Sequence, residues 1–326
     1  MNRQLTGGLL LIAVLVTVSF LALTQGTFTL SAGQFGQVLL GKAPKAMTMV
    51  VLDWRLPRVC AAMVTGAALA LSGAIFQSLL RNPLGSPDVL GFNTGAFSAV
   101  LLMMVFLPGE PALLALAALA GGLLTALMVW LFAWRNGINT FRLILVGIGI
   151  RALLMSLNSW IVTTTSLDTA LSAGLWSAGS LNGVSWQGLL PVAGVLIPVA
   201  AIAGLMARRM RLLEMGDEMA IALGVPAERS RMILLVLGVI LTAVCTALIG
   251  PVSFIALVAP QIAARFTPGR RDSLALSMLC GAALMLTADY LATHLLGAYQ
   301  LPVGVVTVSL GGMYLMSLLI RETRYR

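Results

Sequence analysis

Apolar residues run through this chain in long blocks, near 5–24, 57–80, 90–107, 112–134, 142–164, 187–207, 231–249, 252–266, 273–295 and 303–320. A bilayer-crossing helix needs ~20 mostly apolar residues, so the pattern predicts ten transmembrane helices and no soluble domain between them. The breaks are chemically uneven. Segment 25–56 reads as a long outside loop with a turn at Ala43-Pro44-Lys45. Segment 81–90 carries two prolines and a glycine, so its backbone cannot continue a helix. Segment 165–186 is small and polar, with Trp176 and Trp186 suited to a membrane interface and room for a short surface helix.

Composition narrows the class further. Of 326 residues, 59% are hydrophobic and 10% charged, against ~25% charged in soluble domains. Too few charges are present to cover a globule of this size, which excludes a soluble enzyme, a disordered chain and a secreted disulfide scaffold. The net charge of +9 is explained by its placement. With the N-terminus cytoplasmic, fifteen basic residues fall on the cytoplasmic side and four (Lys42, Lys45, Arg55, Arg58) on the other, with Arg151 inside a span. This is a positive-inside bias, not a nucleic-acid footprint. Both termini are then cytoplasmic. Cys60, Cys245 and Cys280 lie in apolar blocks without a CxxC or nearby histidine, arguing against zinc or disulfides. The sole histidine, His294, at the outer end of the ninth block, reads as structural. The basic start and the apolar run 9–23 resemble a signal peptide, but the run's near-spanning length and the nine blocks after it favour a retained helix.

Segment 208–231 holds nine of the 31 charges. Asp217 and Glu218 give a helix there an acidic first turn, Gly224 a C-cap and Pro226 a stop. Leu213, Met219, Ala220 and Leu223 are expected to form its apolar stripe. Such a short cytoplasmic helix either lies on lipid or docks a soluble partner. Lipid-lying helices are usually basic on their polar face, so the acidic pair favours docking.

An ionisable residue inside a bilayer is a functional candidate. Arg151 sits nine residues into the fifth block, ~13 Å along a helix, with Gly147 and Gly149 beside it and Asn158 and Ser159 continuing the polar face. It is read either as a pathway wall that meets an anionic solute or as the partner of Asp289, the only acid deep in a later span. Gly66 to Gly73 and Gly311-Gly312 predict close helix packing. The sequence holds no Walker A, HExxH or Gly-x-Ser-x-Gly motif, so no catalytic residue is assigned.

Arg55-Leu-Pro-Arg58, the run from Gly66 to Gln77, Arg81-Asn-Pro-Leu-Gly85, Gly216-Asp-Glu-Met-Ala-Ile-Ala-Leu-Gly224 and Leu301-Pro-Val-Gly304 together resemble the iron-siderophore and vitamin-B12 ABC permeases of the FecCD and BtuC type, over essentially the whole chain. Met47-Thr-Met-Val-Val, Phe76-Gln-Ser-Leu, Gly85 to Gly95, Arg209 to Gly216 and Tyr299 to Gly312 are most similar to permeases for the catecholate siderophore ferric enterobactin. The resemblance implies an all-α, ten-helix, BtuC-like type II importer fold in the bacterial inner membrane, as one permease domain spanning 1–326. It implies a heterodimer with a second, homologous permease and two copies of an ATPase subunit, where ATP and Mg bind, so that this chain needs no cofactor and holds no metal. The ATPase is expected on a coupling helix near 213–224, through Leu213, Gly216, Asp217, Glu218, Ala220, Leu223 and Gly224. A periplasmic siderophore-binding protein is expected on Arg55 and Arg58. The family's B12 member has a third docking arginine where this chain has Thr293. Asn82, Pro83, Leu84, Thr140 and Phe141 match the cytoplasmic gates, with Phe141 in place of a small hydroxyl residue. Arg151, Asn158 and Ser159 are the candidate pathway residues for a triply anionic ferric catecholate. Other readings are an importer of another chelate (haem, vitamin B12 or a hydroxamate siderophore), an ion-coupled secondary transporter, for which Asp289 alone is a candidate coupling acid, and a membrane-embedded enzyme.

Overall fold

A computed structural model describes residues 3–107, 111–134, 140–267, 273–296 and 300–324. Arg135, Arg270, Arg271 and Arg326 of the basic bias, and Tyr299, lie outside them. Among the described residues the architecture is all-α. In chain order the helices are α1 (Arg3–Thr24), α2 (Ala32–Leu39), α3 (Lys45–Met49), α4 (Leu56–Leu80), α5 (Phe92–Phe106), α6 (Pro111–Ala133), α7 (Thr140–Thr164) and α8 (Leu167–Ser177). They continue as α9 (Trp186–Glu214), α10 (Asp217–Ala222), α11 (Ala227–Ile249), α12 (Ile255–Arg265), α13 (Leu274–His294) and α14 (Val303–Arg324). Among the described residues, seven helical runs are long and apolar enough to cross a membrane, and three shorter apolar helices, α5, α12 and part of α14, lie where further spans are expected.

The expected boundaries shift in three places. Segment 25–56 is not a loop. Ser31 and Gln34 form a reciprocal capping box that starts α2, and α3 passes through a π-helical turn (Val50–Arg55) into α4. The result is one helical run, Lys45–Leu80. Trp186 donates to the Leu52 carbonyl at 2.8 Å, tying this turn to the start of α9. Second, α9 ends at Glu214 and not near 207, because the arginines, methionines and leucines after 207 are good helix formers that need no membrane around them. The helix near 213–224 is accordingly only α10, and Leu213 belongs to α9. Third, α12 starts at Ile255 and not at 252. Gly250-Pro251 breaks the chain, and Phe254 takes a left-handed conformation at φ 72° just before the helix.

The core is built on α4, which packs against α13, α11, α12 and α9. Small residues allow this. A Cβ on Gly66 would overlap the Gly281 carbonyl of α13, and one on Gly73 would overlap the Ala256 carbonyl of α12, so the backbones approach as in small-residue membrane interfaces. Polar groups between α4 and its neighbours are satisfied inside. Ser72 donates to Gly238 O at 2.8 Å, and Gln77 donates to Leu257 O at 2.9 Å. In contrast, α1, α7 and α9 keep most of their apolar surface outside the bundle.

Candidate coupling and gate site

At one end of the bundle the chain leaves α9, turns at Gly216 (φ 117°), makes the six residues of α10 and turns again at Gly224 (φ 78°) before Pro226 leads into α11. Both glycines occupy backbone regions that side chains rarely adopt. Leu213 and Ala220 are 2% and 0% exposed and seat this hairpin on the bundle. Met219 and Leu223 are 48% and 55% exposed, so the expected four-residue stripe divides: a helix of under two turns has only one face to bury. Met215, Ile221 and Glu218 are also exposed, which leaves an apolar surface with an acidic edge.

Asp217 connects this hairpin to two other helices. Its Oδ1 accepts from Arg81 Nη2 at 2.7 Å and lies 2.5 Å from Arg231 Nη2, at the start of α11. Arg81 also donates through Nε to the Leu213 carbonyl at 3.1 Å. Arg81 is the residue that ends α4, in a left-handed conformation (φ 48°, ψ 35°). Asn82, Pro83 and Leu84 follow, all exposed. Asn82 Oδ1 accepts from Leu84 N at 2.9 Å, Asn82 O accepts from Gly85 N, and Gln261 of α12 donates to Pro83 O at 2.8 Å. Thr140 Oγ1 donates to Leu79 O at 3.4 Å, placing the start of α7 beside the same end of α4, and Phe141 projects outward at 74% exposure. The five candidate gate residues therefore gather at one end of the bundle, next to α10.

From Gly85 the chain turns back along the inside of the bundle. Asp88 accepts from Asn93, whose carbonyl accepts from Thr246 of α11 at 2.9 Å. Asp88 also takes the backbone N–H of Phe254 and feels the charge of Arg151. Gly91 packs its backbone against Arg151, and a Cβ at Gly147 would strike Leu90. Arg151 is thus turned toward the 85–91 segment. Asn158, one face-repeat further, is 5% exposed, whereas Ser159 faces out. The three candidate pathway residues do not share one open wall.

Of the two readings of Arg151, the pairing with Asp289 is not the one found. Asp289 is taken by Arg58 in a two-pronged bridge, Nε to Oδ2 at 2.8 Å and Nη2 to Oδ1 at 2.9 Å, with side-chain exposures of 21% and 6%. Arg55 donates to the carbonyls of Leu23 at 2.9 Å and Phe28 at 2.6 Å. Both candidate docking arginines thus spend hydrogen bonds inside the fold. His294 stacks on Tyr290 with ring centres 4.3 Å apart, its Nδ1 2.9 Å from the Tyr290 carbonyl, and Tyr290 donates to Gln25.

The sequence matches the FecCD transport family model over residues 11–321. The chain belongs to that family. It is 56% identical over 323 residues to the ferric enterobactin transport system permease protein FepG of Escherichia coli (strain K12), covering 99% of this chain and 98% of that one. It is 37% identical over 334 residues to the hemin transport system permease protein HmuU of Yersinia pestis, covering 100% and 99%. A solved metal-chelate type ABC transporter in an inward-facing conformation superposes with a TM-score of 0.87 at 26% identity, covering 96% of this chain and 98% of that one. Within this FecCD chain, sequence reasoning passed over Arg81, Asp88, Arg231 and Gln261. Arg81 and Asp88 stand inside the motifs shared with the family, and Arg231 is one of the nine charges of segment 208–231. Nothing local marks Gln261, whose partner is 178 positions away.

Proposed function

We propose that this chain is one of two permease subunits of an ATP-driven importer that carries ferric enterobactin across the inner membrane. The observation that carries this reading is the 56% identity to FepG over nearly the whole of both chains. The α10 end is the cytoplasmic, inner end, and both termini are cytoplasmic. A FepC-like ATPase, present twice and holding ATP and Mg, docks on the exposed Met215, Met219, Ile221 and Leu223, with Glu218 at the rim. Gly216, Asp217 and Gly224 shape that surface, while Leu213 and Ala220 anchor it. An exposed apolar patch on a charged loop fits a protein partner better than water. Catalysis resides in the ATPase and not in this chain, which binds no cofactor of its own.

The second permease is FepD-like and completes the pathway as a heterodimer against the apolar faces that α7 leaves uncovered. Asn82, Pro83, Leu84, Thr140 and Phe141 close its inner end. Arg151, held near Asp88, sets a positive potential beside it, with Asn158 behind and Ser159 facing the path. At the outer end a FepB-like binding protein docks on Arg55 together with the exposed Lys42 and Lys45, while Arg58 holds Asp289 behind them. The test is uptake of radiolabelled ferric enterobactin, with ferrichrome for comparison, by cells deleted for the gene and complemented with this chain. Loss and recovery of ferric enterobactin uptake alone is expected. Unchanged ferric enterobactin uptake on deletion sinks the substrate assignment.

A further inference from the structure

We propose that Asp217 and Arg81 form the link through which displacement of α10 reaches the gate loop 82–84, with Arg231 as its fixed pivot. The proposal rests on the importer reading, since only a docked ATPase would displace α10. One carboxylate oxygen, Asp217 Oδ1, serves both guanidiniums. Arg231 stands in the first turns of α11, a helix buried along most of its length, with its side chain 9% exposed. It holds one side of Asp217 to the stiff core. Arg81 lies on the other side and grips the α9–α10 junction twice, at the Leu213 carbonyl and at Asp217.

The position of Arg81 matters because of its backbone. It is one of two non-glycine residues with positive φ among the described residues, a conformation that persists only when its surroundings enforce it. Its torsions set the direction in which the chain leaves α4, and the next three residues are the gate. That loop is compact in itself, through Asn82, Leu84 and Gly85. Beyond its covalent ends, the loop is tethered to α12 by the Gln261–Pro83 bond. The loop can therefore turn as one body about Gln261 when Arg81 is pulled. A cavity of about 430 Å³ lies alongside, lined among others by Gln77, Arg81, Pro83, Glu214 and Gln261. It provides space for that turn, which a close-packed surround would resist. Asp217 and Arg81 are 44% and 39% exposed, so water can take over their hydrogen bonds as the link makes and breaks. Asp217 and Arg81 are positioning residues: neither is required to touch the transported solute.

The experiment uses the whole importer in proteoliposomes, with its ATPase and second permease, carrying Arg81→Gln, Asp217→Asn or both. Three quantities are read: ATPase retained on purification, ferric enterobactin moved per ATP hydrolysed, and maleimide labelling of Leu84→Cys with and without ATP and vanadate. The native thiols Cys60, Cys245 and Cys280 lie within α4, α11 and α13, so Leu84→Cys, at an exposed position, labels apart from them. Arg81→Gln is expected to keep the ATPase bound yet lower solute moved per ATP by about tenfold. The nucleotide-dependent change in Leu84→Cys labelling should shrink in parallel. The double variant should be no worse than the more severe single, the signature of one shared interaction. Wild-type coupling in Arg81→Gln, additive losses in the double, or loss of the ATPase from the complex each overturns the proposal. If the unmodified importer moves no ferric enterobactin, the substrate reading falls, and the labelling experiment still decides the link.

Discussion

Helix α4 carries an arginine near each end, and the two meet their carboxylates in different ways. Near its start, Arg58 grips both oxygens of Asp289 in a bridge largely withdrawn from solvent, between two helices whose backbones touch at Gly66 and Gly281. At its end, Arg81 shares a single oxygen of Asp217 with Arg231, half in solvent, on a six-residue helix that packs lightly on the bundle. A two-pronged bridge between rigid helices, withdrawn from water, cannot open without leaving charges stranded. A shared, wet contact to a short element opens and closes at little cost. The Arg58–Asp289 pair fixes the scaffold, and the Arg81–Asp217 pair is suited to movement. A carboxylate–arginine pair therefore says little until its burial and the stiffness of its helices are known.

The comparison breaks most easily at the Arg58–Asp289 pair. Asp289→Ala strands Arg58 and is expected to cost about 3–5 kcal/mol, read as a lower melting temperature of the detergent-solubilised complex. Arg58→Met with Asp289→Leu should recover most of that loss, since a well-packed apolar pair replaces the bridge. A negligible effect of Asp289→Ala would erase the contrast between the two ends. Gly73→Leu tests whether α4 is as fixed as the Arg58–Asp289 pair requires. Its side chain has to displace the Ala256 backbone, and a loss of about 1–3 kcal/mol or more is expected from overpacking, again by thermal denaturation.

Arg81→Gln sharpens the other half of the comparison. Its stability change should be less than about 1 kcal/mol, because exposed pairs are worth little, while siderophore uptake falls. A melting point lowered as far as that of Asp289→Ala would place both pairs in the same structural class. The smallest stability effect belongs to Ile221→Ser on the exposed face of α10, within about 0.5 kcal/mol. Its expected signature is loss of the ATPase on purification, and full retention would remove Ile221 from the docking surface.

Much of this was legible along the chain because a bilayer imposes a simple rule: backbone polar groups must be satisfied within each helix, so apolar length marks each span. The hairpin about α10 was legible for a local reason, its glycines and proline standing where the backbone turns. The capping signal Ser31-x-x-Gln34 was also present, but it stood in a segment read as one long loop. Exposure of Met219 and Leu223 was not legible, since which side of so short a helix is covered depends on what lies beneath it.

Pairings were the least legible. Arg58 and Asp289 are 231 positions apart, and Arg81 and Asp217 are 136 apart. On sequence grounds Arg151 faced either Asp289 or an anionic cargo, and the fold placed Asp88 beside it. The reason is the 85–91 segment, which runs back along the inside of the bundle past Gly91 and Gly147, a route that no periodicity encodes. By itself the sequence determined the membrane class, the all-α architecture and the family, because each follows from local composition or contiguous motifs. Only the tertiary structure decided which arginine meets which carboxylate, because that depends on which helices pack together, and helix packing is set by the shapes of surfaces distant in sequence.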